Sequence, residues 1–334
     1  MKKNPLIWLV LCVCASCLFL TGCGNSNDQP HAWALAHSST EGTITQLYSE
    51  KFAEEVERLS GGDMRIQIYF GGSLGGDAEL LESCEVGDIP FVAQNTAPQV
   101  SYLPQLSLFD LPCVYSDITE FQKVLDEETF INKINDIYLS GGFRLLGMAD
   151  QNFRVMTSNK KVQSLADFKG IKIRTMENAN HIAFWKSLGA NPTPMTFSEV
   201  YIGLSQGTIV AQENSYEVIV SSKLYEAQKY AIQTNHLPDL ISLIVSEKFF
   251  QSLEPEQQAI IQEAATNAKL YAREQAALRA QERMEILEEN GCEIVPVSDE
   301  LMEQMQAASQ GVYDDIRAIV NDDELFDAYI GETP

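Results

Sequence analysis

The spacing of hydrophobic residues changes abruptly within the first hundred positions of this chain. Between positions 42 and 59 they recur every three or four residues, which is the period of a helix with one buried face. Between Met64 and Phe70 they alternate with polar residues, which is the period of a half-buried strand. A switch of this kind is typical of βαβ units and indicates an α/β fold. The predicted order is strand 31–37, helix 42–59, strand 64–70, helix 77–86 and strand 89–93.

A later stretch, from 254 to 290, is rich in Ala, Gln, Glu, Leu and Arg and contains no glycine. Pro255 lies where a first helical turn tolerates proline, and Gly291 follows the stretch as a terminator. The pattern predicts one helix of roughly 55 Å at 1.5 Å per residue, which is longer than a single domain. A coiled coil is the general alternative for a helix of this length.

Length and charge narrow the class of protein. The chain has 334 residues, which exceeds the usual size of one hydrophobic core and predicts two domains. Its 47 acidic and 23 basic residues give a formal net charge of −24, and a field of that sign repels nucleic acid and anionic membranes. We therefore expect no nucleic-acid partner. The same field repels an anionic ligand, so such a ligand would have to be held by buried cations nearby. The repulsion from exposed charges is largely screened beyond about 8 to 10 Å.

The first 23 residues have the order of a secretion and lipidation signal. Two lysines supply the positive charge, residues 6–20 are apolar, and LTGC at 20–23 has the form of a bacterial lipobox. The apolar run is too short to span a bilayer, since a spanning helix needs about 20 residues. The alternative is a plain signal peptide with a chance cysteine. The sequence predicts a leader at 1–22, a lipid on Cys23 and a polar tether at 23–30.

Motifs for catalysis, metals and cofactors are not legible. Cys84, Cys113 and Cys292 show no CxxC spacing, so we expect them to be buried small hydrophobic residues. The histidines show no HExxH spacing, and His181 is expected on a helix surface or at the edge of a cleft. The glycine run at 71–76 lacks the GK[ST] ending of a phosphate loop and predicts a tight strand-to-helix connection. We expect no catalytic residue, no metal and no cofactor; a hydrolase is the alternative, because triad residues meet only in space.

Two arginines lie near the ends of short strands in the second half of the chain. Ile171 and Ile173 alternate with polar residues, and Arg174 falls where that strand ends; Arg154 opens the β-like run 155–157. Open α/β sheets bind ligands at the carboxyl ends of their strands, so the two guanidinium groups could converge on one crevice. A guanidinium can hold a carboxylate in two parallel hydrogen bonds. The alternative is that each arginine is a solvated charge or half of a structural ion pair.

Two further candidates lie at the same predicted edge. The text TFSE at 196–199 has the spacing of a capping box and predicts a helix from about 196 to 206. Phe197 would lie at its entrance, where it either packs as a hydrophobic staple or contacts a ligand. A strand at 208–212 would then deliver Glu213 and Asn214, whose amide can donate to a carboxylate and accept from a hydroxyl.

Four segments carry a resemblance to a known family. They are FRVMTSNK at 153–160, DFKGIKIRTMEN at 167–178, LGANPTPMTFSEVY at 188–201 and GTIVAQENS at 207–215. The chain resembles the DctP-like solute-binding proteins of TRAP transporters over nearly its whole length after the leader. The resemblance implies an α/β, two-lobe periplasmic-binding-protein-like fold with a hinge and a long lobe-spanning helix. Lobe I would comprise 31–151 and 240–279, and lobe II would comprise 152–239 and 280–334.

The resemblance also implies the roles of single residues. Arg174 matches the principal carboxylate-binding arginine, Arg154 a second ligand-side arginine and Asn214 a ligand-binding asparagine. Phe197 matches a residue that packs on the ligand, whereas His37 and Gln94 fall at cleft positions of lobe I. The chain departs from the family pattern at Val210, Ala211 and Ser215, where Asp, Gly and Pro are common, so the rigidity of that loop is in doubt.

The function implied is extracytoplasmic and not enzymatic. A lipoprotein anchored at the outer face of the cytoplasmic membrane or in the periplasm would capture a small organic acid and deliver it to the membrane subunits of a TRAP permease. The acid is a sugar acid such as a hexuronate or aldonate, or a C4-dicarboxylate. An ABC-type binding lipoprotein or a sensor lipoprotein is the runner-up.

Overall fold

Nine strands form one mixed sheet in the computed structural model, which describes residues 32–331. The predicted leader, Cys23 and the tether lie outside this part. The strands are β1 Ala32–Ala36, β2 Arg65–Tyr69, β3 Phe91–Asn95, β4 Phe143–Ser158, β5 Lys172–Thr175, β6 Asn191–Pro194, β7 Ala211–Ser215, β8 Tyr230–Ser246 and β9 Glu293–Pro296. Their order is β2-β1-β3-β8-β4-β7-β5-β6, and β9 pairs with β8.

Helices cover both faces of this sheet. They are α1 Ile44–Leu59, α2 Asp77–Val86, α3 Thr96–Gln99, α4 Ile118–Asp126, α5 Glu128–Ser140, α6 Ala179–Ser187, α7 Val200–Ser205, α8 Tyr216–Ser221, α9 Glu247–Gln251, α10 Pro255–Glu289, α11 Asp299–Ala308, α12 Gln310–Val320 and α13 Asp323–Ile330. Short 3₁₀ turns lie at Pro104–Asp110, Leu165–Phe168, Phe197–Glu199 and Leu224–Ala227. Parallel pairs such as β1 with β2 and β5 with β6 confirm the predicted α/β class.

Two long strands join the lobes. β4 and β8 pair in antiparallel fashion along most of their length, β3 pairs with β8 in lobe I, and β7 pairs with β4 in lobe II. Their register shifts between Asp150 and Phe153, next to Asn152 with its positive φ of 64°. The lobe boundaries predicted at 151/152 and 239/240 fall in these two strands near that irregularity.

Each lobe buries one hydrophobic core on either side of the sheet. In lobe I, one core packs α1 and α10 against β3, and the other packs α2, α4 and α5 against the opposite face. In lobe II, the two cores lie around α6 and around α7 with α8. The fold is thus the two-lobe, periplasmic-binding-protein-like arrangement that the sequence predicts.

The last two helices differ from the predicted boundaries. Residues 280–334 were predicted to belong to lobe II, and α11 does pack there through Leu301 and Met305. The buried faces of α12 and α13 instead enter the lobe I core, since Val312, Ile316 and Tyr329 pack with the residues of α4 and α5. The physical reason is packing between aromatic rings, because the ring centre of Tyr329 lies 6.2 Å from the ring centres of both Phe121 and Phe130.

The predicted long helix is confirmed as α10. It spans 35 residues, begins at a capping box formed by Glu254 and Gln257, and has Pro255 in its first turn. Alanines from Ala264 to Ala276 lie in a lobe I core, whereas Leu287 lies in a lobe II core. One rigid rod therefore contacts both lobes.

Other predicted elements shift by a few residues. Helix 77–86 is confirmed, but the strand predicted at 89–93 begins at Phe91, because Pro90 has no N–H to give to the ladder. The strand predicted at 208–212 begins at Ala211, because the amides of Thr208 and Ile209 donate to Gly203 at the end of α7. Glu213 and Asn214 consequently lie inside β7.

Candidate functional site

A cavity of about 430 Å³ lies between the lobes and has the size of a small-molecule site. Lobe I contributes Ser38, the glycine-rich connection after β2 and Asp77 at the start of α2. Lobe II contributes Arg174 from β5 and Phe197 from the turn before α7. A smaller adjoining cavity shares these residues and also reaches Asn95 and Asn214. The predicted strand ends therefore do meet in one crevice.

Arg174 is a buried cation that forms no salt bridge with a carboxylate among residues 32–331. Its side chain is 2% exposed, and its Nε and Nη2 donate to the carbonyl of Met195 at 3.0 and 2.7 Å. Its Nη1 has no hydrogen-bond partner among residues 32–331. Burial lowers the pKa of Arg174 to about 10, so the group remains protonated at neutral pH. The Nη1 and Nη2 edge thus keeps the two parallel donors that a carboxylate needs.

Arg154 is also buried, but its charge is balanced by the protein. Its Nε lies 2.5 Å from Glu213 Oε2, and its Nη1 lies 2.5 Å from Asp239 Oδ1. Burial opposes the charged form, but the two carboxylates outweigh it and raise the pKa of Arg154. This geometry is the structural ion pair that the sequence left as the alternative for either arginine. Arg154 lines neither of the two cavities.

Asn214 connects this buried ion pair to the cavity. Its Oδ1 accepts from Arg154 Nη2 at 3.1 Å, and its Nδ2 donates to Gln212 Oε1 at 2.7 Å. These bonds fix the orientation of the amide, and one Nδ2 hydrogen is left for another acceptor. On the lobe I side, the Nδ2 of Asn95 donates to Asp239, so Arg154 and Asn95 share one carboxylate.

Phe197 lies beside Arg174 as predicted, but the capping box around it does not form. The Phe197 ring centre is 6.0 Å from the guanidinium carbon of Arg174, within the range of a cation–π contact. Thr196 Oγ1 bonds Ser198 Oγ at 3.2 Å and makes no side-chain cap. Residues 197–199 form a 3₁₀ turn as a result, and α7 begins only at Val200.

His37 and Gln94 lie behind the cavity wall, where neither lines the cavities described above. His37 Nε2 bonds Gln46 Oε1 at 2.8 Å, and burial lowers its pKa to about 4. Gln94 is buried, with neither amide atom bonded to any described residue. Their sequence neighbours Ser38 and Asn95 line the cavity instead, because side chains alternate in direction at strand ends.

Asp77 and Ser38 are cavity residues that the sequence did not identify, whereas Asn95 follows the predicted cleft residue Gln94. Asp77 Oδ1 accepts from Ser38 Oγ at 2.6 Å. The sequence signal that could have identified Asp77 is its position. It directly follows the glycine run 71–76, which joins β2 to α2 at the carboxyl edge of the sheet.

His181 is not at a surface, which corrects the prediction. It is buried in α6, with Nε2 at 3.1 Å from Asp110 Oδ1 and Nδ1 at 3.8 Å from Glu213 Oε1. The N-terminus of α6 packs against the 3₁₀ turn of lobe I, and this contact places the imidazole between two acids.

Residues 32–331 hold no group of three His, Cys, Asp or Glu side chains arranged to bind a metal. Cys84 and Cys292 are buried as expected and Cys113 is half-buried, and burial raises the pKa of all three thiols. Across the same range, no helix combines the length and apolarity needed to cross a bilayer.

Comparison with known proteins identifies the family. Residues 35–318 match the family described as DctP, bacterial extracellular solute-binding protein, family 7. A solute-binding protein from Verminephrobacter eiseniae is 34% identical over 223 residues, which are 66% of this chain and 66% of that protein. The chain thus aligns with about two thirds of that relative's length.

Solved structures agree with this match. A sugar acid binding protein from Advenella mimigardefordensis, in complex with galactonate, superposes with a TM-score of 0.86 at 27% identity, covering 91% of this chain and 99% of that chain. A TRAP periplasmic solute binding protein from Haemophilus influenzae with bound L-gulonate superposes with a TM-score of 0.84 at 29% identity, covering 90% and 99%. The chain therefore belongs to family 7 of the bacterial extracellular solute-binding proteins, the solute-binding proteins of TRAP transporters.

Proposed function

We propose that this protein captures a small organic acid between its lobes and delivers it to the membrane subunits of a TRAP transporter. The observation that carries the proposal is Arg174, a buried guanidinium whose Nη1 has no hydrogen-bond partner among residues 32–331 and which lines a ligand-sized cavity. A buried charge without a directly bonded counter-ion is costly, and a ligand carboxylate would supply that counter-ion. The solute would thus complete the hydrogen bonding of this guanidinium.

The lining of the cavity favours a hydroxylated acid. Ser38, Ser101, Thr196 and Ser198 place hydroxyl groups around it, and these both donate to and accept from ligand hydroxyls. Two of the similar structures have galactonate or L-gulonate bound, and each of these ligands carries one carboxylate and several hydroxyls. We propose a sugar acid as the ligand class.

Of the other predicted residues, some contact the ligand in this proposal and others act through their neighbours. Asn214 donates its remaining Nδ2 hydrogen to the ligand, and Phe197 covers the ligand beside Arg174. Arg154 is a positioning residue, because it acts through its hydrogen bond to Asn214. His37 and Gln94 support the lobe I wall from behind and do not touch the ligand.

Substitution of Arg174 tests the proposal. Wild type, Arg174→Ala and Arg174→Lys are screened by thermal shift against an organic-acid library, and the hits are measured by calorimetry. Both variants should lose about 30-fold or more in affinity, since breaking a buried charge pair costs about 2 to 5 kcal/mol and lysine lacks the fork. The control is Arg65→Ala, which removes an exposed arginine of β2 and should bind normally. Wild-type affinity in Arg174→Ala would rule out the clamp.

We further propose that the acid leaves unchanged. The family comparisons are to solute-binding proteins, and in this role the ligand is cargo. Incubating each bound acid with the protein and recovering it intact by mass spectrometry tests this. Appearance of a product that also requires Arg174 would favour the hydrolase alternative.

Membrane attachment is proposed through a lipid on Cys23. The thioether of a bacterial lipoprotein forms only on a cysteine thiol, and the LTGC text at 20–23 precedes residues 32–331, which hold the proposed binding site. Cys23→Ser should move the protein from the membrane fraction to the soluble fraction with its affinity for acids unchanged. A cleaved Cys23→Ser protein that stayed with the membrane would contradict the lipobox interpretation.

A further inference from the structure

The cavity between the lobes contains an acidic group opposite its arginine. Asp77 opens α2 in lobe I, lines both adjoining cavities and interacts electrostatically with Arg174. Ser38 donates to its Oδ1 at 2.6 Å, which leaves Oδ2 without that bond. A ligand that spans the two lobes therefore contacts a cation from lobe II and a carboxylate from lobe I.

The glycine connection before α2 fixes the position of this carboxylate. A Cβ added at Gly76 would lie 2.9 Å from Glu79 Oε2, and one added at Gly75 would lie 2.9 Å from Glu79 Cβ. Gly75 also has a φ of +135°, which side chains disfavour. The close approach of the connection to the first turn of α2 thus requires glycine at position 75, two residues before Asp77.

The balance of charge around the cavity is negative. Asp77, Glu79 and Glu177 all line it, whereas Arg174 is the one cation among its lining residues within 32–331. The pKa of Asp77 is raised overall, chiefly by burial. The hydrogen bond from Ser38 and the charge of Arg174 lower it, whereas the charges of Glu177 and Glu79 add to the increase. The site has one cation for one ligand carboxylate, and its acids surround the remaining volume.

We propose that Asp77 makes this cleft selective for polyhydroxy monocarboxylates over dicarboxylates of the same carbon skeleton. The inference rests on the proposed function, because it takes the ligand carboxylate to lie on Arg174. An ionised carboxylate only accepts hydrogen bonds, so Asp77 binds a hydroxyl of the ligand. A second carboxylate in that place would meet a like charge, which is how sites reject the wrong partner.

Matched pairs of sugar acids isolate this effect. Galactonate and galactarate have the same carbons and differ in whether C6 is an alcohol or a carboxylate, and gluconate and glucarate form a second pair. Calorimetry at pH 7.5 should show at least one aldonate binding tenfold or more tightly than its aldarate. Asp77→Asn keeps the size of the side chain and removes its charge, so it should narrow that ratio tenfold or more by strengthening aldarate binding.

Asp88→Asn is the matched control, because it removes an exposed carboxylate beyond the end of α2 and should leave the ratio unchanged. Equal wild-type affinity for both members of each pair, or the same ratio in Asp77→Asn as in wild type, overturns the inference. Acid binding at wild-type affinity in Arg174→Ala overturns the proposed clamp and, with it, the premise of this inference, whatever the ratio measured in Asp77→Asn. A wild-type protein that binds neither aldonates nor aldarates overturns both.

Discussion

His181 is a buried imidazole held between carboxylates from the two lobes. Burial alone would lower its pKa, but the hydrogen bond and charge of Asp110, together with the nearby charge of Glu213, raise it to about 9. The neighbouring His236 also bonds Glu213, at 3.2 Å, yet burial lowers its pKa. Only His181 of this pair is therefore protonated in the folded protein at neutral pH.

The protonation of His181 predicts a pH-dependent stability. Because the folded pKa of about 9 exceeds the unfolded value of 6.5, its contribution is complete below about pH 6.5 and disappears as the pH rises through 9. His181→Gln should cost more unfolding free energy at pH 6.5 than at pH 9.5, by on the order of 1 to 3 kcal/mol. Denaturant unfolding of both proteins at the two pH values measures this. A cost that is the same at both would show that no charged histidine is involved.

The two arginines show how far residue roles follow from sequence. The strand-end pattern correctly brings Arg174 to the crevice, because direction and period are local properties. The counter-ions of Arg154 lie 59 and 85 positions away along the chain, at Glu213 and Asp239. No local pattern reports such partners, and the burial of His181 between Asp110 and Glu213 was missed for the same reason.

At the scale of elements, β4 packs closely against two helices at Gly147. A Cβ there would lie 2.7 Å from the hydroxyl of Tyr48 in α1, with Ala265 and Lys269 of α10 within 3.8 Å. The Tyr48 hydroxyl is buried and has no hydrogen-bond partner among the described residues. Two helices and a strand thus meet at a point where only a hydrogen fits.

Gly147→Ala should therefore destabilise the protein by about 1 to 3 kcal/mol through overpacking. Tyr48→Phe alone should be nearly neutral or stabilising, since it removes an unpaired buried hydroxyl. The double variant Tyr48→Phe with Gly147→Ala should recover most of the loss, because the clashing atom is gone. Thermal unfolding of the four proteins completes the cycle. Additive effects in the double variant would place the strain elsewhere.

Element boundaries were predictable where the signal is local. α10 follows the sequence closely because composition, Pro255 and Gly291 all agree. The capping box predicted at TFSE was wrong, because the hydroxyls of Thr196 and Ser198 hydrogen-bond each other and residues 197–199 form a 3₁₀ turn. The position of α12 and α13 was missed since their partners, α4 and α5, lie early in the chain.

Across the whole molecule, the lobes contact each other on both sides of the cavity. Thr40 Oγ1 lies 3.1 Å from Ser222 Oγ, and Asn178 Nδ2 donates to the carbonyl of Ala97 at 2.8 Å. Cavity residues also come from both lobes. A ligand favours this closed arrangement only through contacts that it loses when the lobes separate.

We therefore expect ligand-driven closure. Small-angle scattering should show a smaller radius of gyration with saturating sugar acid than without it, as in hinge closure of binding proteins. Asn95→Ala in lobe I and Asn214→Ala in lobe II should both weaken binding, because the smaller cavity joins them. An unchanged radius together with normal affinity in Asn95→Ala would mean that one lobe binds the acid alone.

The packing of α12 and α13 in lobe I has a consequence for the order of folding. The core that α2, α4 and α5 share lacks part of its packing until Val312, Ile316 and Tyr329 join it from the end of the chain. Among the described residues, the two cores of lobe II use no element later than α11. In a chain that emerges from its N-terminal end, we therefore expect lobe I to complete its core last.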